Sequence, residues 1–276
     1  MIDIIIPVYN TPIEDIKRCL DSIINQTYKN YQVYIIDDGS KKEIAIFLDS
    51  YTKEWNNFKV VHIKNSGVSH ARNVGIELSK NKYITFIDSD DSFEKDFLKE
   101  ALYLIEHNNL DLIIGGYNEI VHNEIVRTRQ SQKGLHIYEK DTLVLFFKKL
   151  LSGKTEEQNQ ELGDCPTGRI YTRLFKRSTM KELRFDTKIN ISEDTLFMID
   201  YMKKANKIGV VDNIWYNYYK NPYSISNGTK KEKLRGYILK FIKEIKKRQD
   251  EEQNPVIKES YQERIKKAKS YMDTIV

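Results

Sequence analysis

Three acidic clusters hold most of the chemistry that this sequence can offer. Asp37 and Asp38 close one apolar segment (YQVYIIDD), Asp88, Asp90 and Asp91 close another (YITFIDSDD), and Glu193 and Asp194 follow Ser192 ahead of an apolar stretch. Carboxylates at this density repel one another unless a cation compensates. In Asp88-Ser89-Asp90 the two acids lie on the same side of an extended segment. That suits a hard divalent ion such as Mg2+ or Mn2+, which takes one or two carboxylates together with phosphate oxygens. A basic counterpart stands in Asn65-Ser66-Gly67-Val68-Ser69-His70-Ala71-Arg72-Asn73. This segment runs into a helix N-terminus, a natural anion site. Arg72 can reach a phosphate, or spend its charge on Asp37 or Asp88. His70 has no partner at metal-ligand spacing and reads as a surface or packing residue.

The elements that must position these residues alternate. Ile2–Val8 is a continuous apolar run with β-branched bias, as in a strand buried on both faces. Thr11, Pro12 and Glu14 have the spacing of an N-cap, a first helical residue and a capping-box partner, and Ile13, Ile16, Leu20, Ile23 and Ile24 form one helical stripe. Strands are predicted at 31–37, 59–63, 82–87 and 111–114, and helices near 41–52, 70–80 (capped by Ser69) and 94–107. This rhythm predicts a mostly parallel sheet flanked by helices, with strand C-terminal ends, and so the first two acidic clusters, on one edge. Beyond residue 115 the pattern loosens. It gives a polar strand or hairpin at 117–127, an amphipathic helix at 139–151 and a mobile loop at 152–166. A helix over 193–205 capped by Ser192 follows, then strands at 207–211 and 213–219.

Composition narrows the classes. The 276 residues are 40% hydrophobic and 31% charged, with 18 Tyr and 11 Phe, an ordinary globular make-up for one large domain or one domain with an appendage. No apolar run approaches the ~20 residues of a membrane span, and MIDIIIPVYN lacks the basic start of a signal peptide. Cys19 and Cys165 form no CxxC, so they read as reduced thiols in a cytoplasmic protein. Residues 230–276 carry 14 Lys/Arg against 8 Asp/Glu, and the rest of the chain 31 against 32. The positive excess is therefore a basic tail, which does not indicate a nucleic-acid-binding globule. Glycine-rich dinucleotide and P-loop signatures and the G-x-S-x-G elbow are missing. The first strand runs instead into Pro7-Val8-Tyr9-Asn10, where Tyr9 either packs in the core or stacks a nucleobase.

In order, IIIPVYN, IIDDGS, NSGVSHARNVG, YITFIDSDD and SEDTLF resemble the inverting family 2 glycosyltransferases of GT-A fold, over residues 1–200. The resemblance implies a catalytic domain over 1–228, with a nucleotide-binding half (1–115) and an acceptor-binding half (116–228), and a basic helical extension over 229–276. It implies that Pro7, Val8 and Tyr9 flank a uracil ring and that Asp38 accepts from uracil N3–H. Asn65 and Arg72 would hold the nucleotide and orient the acids. Asp88, Ser89 and Asp90 match the DXD motif, with Asp90 and Asp88 as ligands of Mn2+ or Mg2+. Asp194 matches the catalytic base, its pKa lowered by the helix N-terminus, and Glu193 a supporting acceptor contact. One departure is that the segment after the last strands offers only Lys220 before Ser224 where related enzymes often place His or Arg. The implied partners are a UDP-sugar and a saccharide acceptor, lipid-linked or free, with no nucleic acid. A nucleotidyltransferase of similar sheet, or a non-catalytic sugar-nucleotide-binding protein, is the alternative.

In the tail, Leu234, Ile238, Phe241, Ile242 and Ile245 share one helical face, and residues 230–248 hold nine Lys/Arg and two acids. A basic amphipathic helix of this kind lies on the inner face of an anionic membrane, docks on its own domain or meets a partner helix. The charge density favours the membrane.

Overall fold

Among the described residues the chain builds ten strands, β1 (Ile2–Val8), β2 (Tyr31–Asp37), β3 (Phe58–His62), β4 (Tyr83–Phe86), β5 (Ser92–Phe93), β6 (Leu112–Val121), β7 (Glu124–Arg129), β8 (Leu135–Glu139), β9 (Arg173–Lys176) and β10 (Lys207–Tyr219). Its α-helices are α1 (Ile13–Ile24), α2 (Lys42–Thr52), α3 (Val68–Leu78), α4 (Phe97–His107), α5 (Leu143–Ser152), α6 (Arg177–Met180), α7 (Glu193–Met202), α8 (Lys231–Glu251) and α9 (Pro255–Thr274). The computed structural model describes residues 1–152, 168–220 and 231–275. The strands form one sheet in the order β3-β2-β1-β4-β9-β6-β10-β5, with β7 added to β6 and β8 to β10.

The first half follows the predicted βα rhythm. β1 is buried along its whole length and pairs in parallel with β2 and β4, while β3 adds in parallel to β2. Val8 and Asp37 are register partners, so the two strand ends deliver Tyr9 and Asp38 to the same edge. α3 crosses β1 closely enough that a Cβ at Gly75 would lie 2.4 Å from Ile5 Cγ2. Only glycine admits that approach, and it brings the first turn of α3 over the strand ends.

The second half departs from the reading. β6 is ten residues long and forms, with β7, the hairpin expected over 117–127. β9 had no sequence signal, being four residues centred on Leu174 and Phe175, yet it sits antiparallel between β4 and β6. The two strands foreseen at 207–211 and 213–219 are one strand, β10, whose register against β6 shifts between Val210 and Tyr216. The predicted capping box is not made. Pro12 precedes α1 without a side-chain cap, and the Thr11 hydroxyl bonds Ser89 Oγ at 2.7 Å. α3 starts after Gly67, leaving Ser69 inside the first turn with its hydroxyl buried and unpartnered. Ser192 precedes α7 at φ 61° and gives no side-chain cap. The loop expected at 152–166 lies outside the described residues, apart from Ser152 at the end of α5, as does Cys165; Cys19 is a buried free thiol.

In the tail the structure takes the docked arrangement among the three readings. The apolar face of α8 does not point outward: Ile238, Phe241, Ile242 and Ile245 are buried, and Phe241, Ile245, Ile257 and Tyr261 belong to the cluster that holds Phe146, Phe175 and Phe197. Arg248 reaches Asp200 of α7 at 2.6 and 2.9 Å, and Asn254 caps α9 at the break foreseen at Asn254-Pro255. Burial of the stripe in this cluster, which α9, α5 and α7 share, leaves the basic residues as the solvated outer face.

Candidate active site

The loop after β2 is fixed by its own acids. Asp38, 3% exposed, accepts the amides of Ser66 at 2.7 Å and Gly67 at 2.8 Å, and its amide donates to the Val8 carbonyl. Asn65 Nδ2 donates to the Asp38 carbonyl at 3.0 Å, and Gly39, at φ 75°, lets the Asn65 backbone come in against it. Asp38 thus ties the start of α3 to the end of β2, and each carboxylate oxygen keeps a lone pair for a further donor. Asp37 turns the other way, to His62 Nδ1 at 2.7 Å. It is not a partner of Arg72, as the sequence had allowed. Pro7 and Val8 are buried in β1, and Tyr9 is 52% exposed, which excludes the core role for its ring.

Arg72 gathers the site. Only 3% exposed, it donates to Asp88 Oδ1 at 3.0 Å, Asp194 Oδ1 at 2.8 Å and Glu193 Oε1 at 3.1 Å. Burial disfavours a charged guanidinium, but Asp194, Asp88 and Glu193 outweigh it and hold Arg72 protonated. Residues 121 and 122 positions apart in sequence from Arg72 reach it because Asn73 and Phe185 exchange two buried hydrogen bonds, at 2.8 and 2.9 Å. The Phe185 ring then stacks on Phe197 of α7 with centroids 4.1 Å apart. The partner of Asn73 is the Phe185 backbone, which carries no signal in the sequence, so this clamp is legible only in the fold.

Asp88, Ser89 and Asp90 lie beside this cluster. Burial, then repulsion from Asp88, raises the Asp90 carboxyl to about 6. Asp91 faces inward, accepting from Tyr216 at 2.6 Å and from the Tyr219 amide at 2.8 Å; burial, then Asp90 and Asp88, pushes it well above the usual carboxylate range. Arg18 of α1 donates to the Asp90 carbonyl and lies 3.8 Å over the Tyr219 ring. Arg18, Tyr216 and Tyr219, whose spacing in the sequence gives no sign of this role, brace the acidic turn from α1 and β10. Asp88 and Asp90 are hard oxygen donors whose mutual repulsion shows in the raised Asp90. That fits a divalent ion taking its other ligands from phosphates, and the described residues form no three-donor cage.

Asp194 does not have the depressed pKa expected at a helix start. Burial pushes it up to about 7, against the pull of Arg72, with Glu193 and Asp88 adding repulsion. A carboxylate poised there can take a proton near neutral pH. Lys220 is committed to Glu119 at 2.7 Å, and Ser224 lies outside the described residues.

A parallel first half, two strand-end acid clusters on one edge and a helix-start acid pair drawn in by one arginine give the arrangement of a GT-A-like glycosyltransferase fold. The chain matches glycosyl transferase family 2 over residues 3–184 and belongs to that family. It is 30% identical over 225 residues to the poly(ribitol-phosphate) beta-glucosyltransferase of Bacillus spizizenii, covering 79% of this chain and 32% of that protein. It superposes on S. aureus TarS 1-349 in complex with UDP-GlcNAc with TM-score 0.68 at 21% identity, covering 88% of this chain and 66% of that one. The mannosyltransferase PcManGT of Pyrobaculum calidifontis, in complex with GDP-Man and Mn2+, gives TM-score 0.60 at 13% identity, over 98% and 69%. The chain spans 60%, 39% and 63% of the length of three further bacterial relatives.

Proposed function

We propose that this chain is a metal-dependent, inverting glycosyltransferase that moves a sugar from a UDP-sugar to a saccharide acceptor in surface-polysaccharide or glycoconjugate synthesis. The observation that carries this reading is the Arg72 junction, where the DXD-type acid Asp88 and the helix-start acids Glu193 and Asp194 share one buried cation. Residues 1–115 would hold the nucleotide, with Tyr9 against the base and Asp38 and Asn65 on its edge, and residues 116–228 the acceptor. The family, the UDP-GlcNAc bound by TarS and the name of the ribitol-phosphate enzyme support the donor and the acceptor class.

In this scheme Asp194 removes the acceptor proton as the hydroxyl attacks the anomeric carbon, and Glu193 contacts the acceptor. One in-line displacement inverts that carbon, and the nucleoside diphosphate leaves. Arg72 fixes the base against the acids of the donor side without donating to the reacting atoms. A Mn2+ or Mg2+ ion held by Asp88 and Asp90 would neutralise charge on the departing diphosphate.

The test is UDP release from a panel of UDP-sugars, with and without Mn2+ or Mg2+. Wild type should turn over one donor in a metal-dependent way, and Asp90→Ala should lose that turnover while folding normally. Full activity with excess EDTA, or in Asp90→Ala, refutes the metal assignment.

A further inference from the structure

Arg72 shares its charge among three carboxylates, and a second arginine, Arg169, stands near the base. Arg169 follows Gly168, whose carbonyl accepts from the hydroxyl of Thr195, the residue after Asp194. This contact braces the Gly168–Arg169 backbone on the first turn of α7. Arg169 is exposed, and among the described residues its guanidinium makes no ion pair; its Cζ lies 5.9 Å from the centroid of the Tyr171 ring. Tyr171 stacks on Tyr216 and Tyr218, with centroids 4.5 and 5.9 Å away, and its own hydroxyl is buried without a partner. The field of Arg169 reaches Asp194 and the Tyr218 hydroxyl. An arginine without an ion pair among the described residues, beside a tyrosine ledge, suits an oxyanion such as phosphate, two of whose oxygens its fork can bond.

We infer that Arg169 is a specificity-determining residue that binds a phosphate carried by the acceptor, next to the hydroxyl that Asp194 deprotonates. The inference rests on the reading of Asp194 as the acceptor-side base. The donor's diphosphate already has the acidic pair and its ion for neutralisation. A phosphate arriving beside Glu193 and Asp194 would be repelled without a cation of its own, and Arg169 supplies it. The flat faces of the tyrosine ledge offer stacking to the sugar or polyol bearing that phosphate.

The experiment is ligand-observed NMR on the full chain with UDP and Mg2+, using glucose 6-phosphate and glucose as probes, with UDP affinity measured separately by calorimetry. Glucose 6-phosphate should bind wild type at least about tenfold more tightly than glucose, since hydrogen bonds to charged groups are worth about ten- to hundredfold in affinity. Arg169→Gln should erase that preference, Arg169→Lys should keep part of it, and all three proteins should bind UDP equally. Equal binding of both sugars by wild type would overturn the inference. So would a loss of UDP affinity in Arg169→Gln, which would assign the guanidinium to the donor. No turnover is involved, so a failed rate test of Asp194 would leave this readout untouched.

Discussion

Asp194 is subject to opposed forces: burial favours its neutral form, and Arg72 at 2.8 Å favours its charged form. Burial wins, and the carboxyl stands at about 7 instead of 3.8. Only the ionised form accepts a proton, so turnover at saturating donor should rise with pH through neutrality and level off above it. A pH–rate profile flat across neutrality would remove Asp194 as the base. Asp194→Asn keeps the shape and cannot take the proton, so it should cost about 10²–10⁴-fold in rate with UDP affinity unchanged. Asp38 belongs to the donor side. Its carboxylate already accepts two amides, so Asp38→Ala should both loosen the 65–67 loop and reduce any preference for UDP over CDP. Calorimetry on wild type that finds equal affinity for the two nucleotides would end the uracil assignment.

At the scale of elements, the acidic turn after β4 is held from outside its own strand. α1 contributes Arg18, which grips the Asp90 carbonyl, stacks on Tyr219 and pairs with Asp15 at 2.8 Å. β10 contributes the Tyr216 hydroxyl, which accepts from the Asp88 amide at 3.2 Å. Supporting residues of this kind typically cost about 10–100-fold in metal affinity or activity when removed. Arg18→Met retains the aliphatic stem while losing the charge and the hydrogen bond. It should raise the Mn2+ concentration needed for half-maximal turnover by about that factor, with the melting temperature little changed. An unchanged metal requirement would show that α1 and β10 hold the turn without Arg18.

For the whole molecule, α8 and α9 complete a core shared with α5 and α7. A chain ending at Gly228 should precipitate or melt at lower temperature, because it strips cover from Phe146, Phe197 and their neighbours. Phe241→Ala should cost roughly 3–5 kcal/mol of stability, the usual range for a buried Phe-to-Ala change, and urea denaturation reads this directly. Wild type should show little affinity for anionic liposomes, since the apolar face a membrane would need is spent on protein. Tight, salt-sensitive co-sedimentation would reverse this reading and give the basic outer face a membrane role. Among the described residues no helix is long and apolar enough to cross a membrane.

The sequence by itself determined the parallel half and the edge on which Asp38 and Asp88 stand. Apolar runs of strand length alternating with helical stripes admit essentially one handed arrangement, and local order then dictates which ends carry the acids. The apolar stripe of α8 was also legible, as spacing. What covers it was not, because a membrane and a protein core satisfy the same periodicity and only the placement of the cluster built from α5, α7 and α9 chooses between them. The same limit applies to β9, whose four residues earn their place from neighbours on both sides, and to the Asn73–Phe185 clamp. The ionisation of Asp194 followed suit: a helix start read locally lowers a carboxylate's pKa, while its burial beside Arg72, Glu193 and Asp88 exists only once distant segments meet. Desolvation and long-range contact belong to the folded chain, and those were the quantities that tertiary structure alone decided.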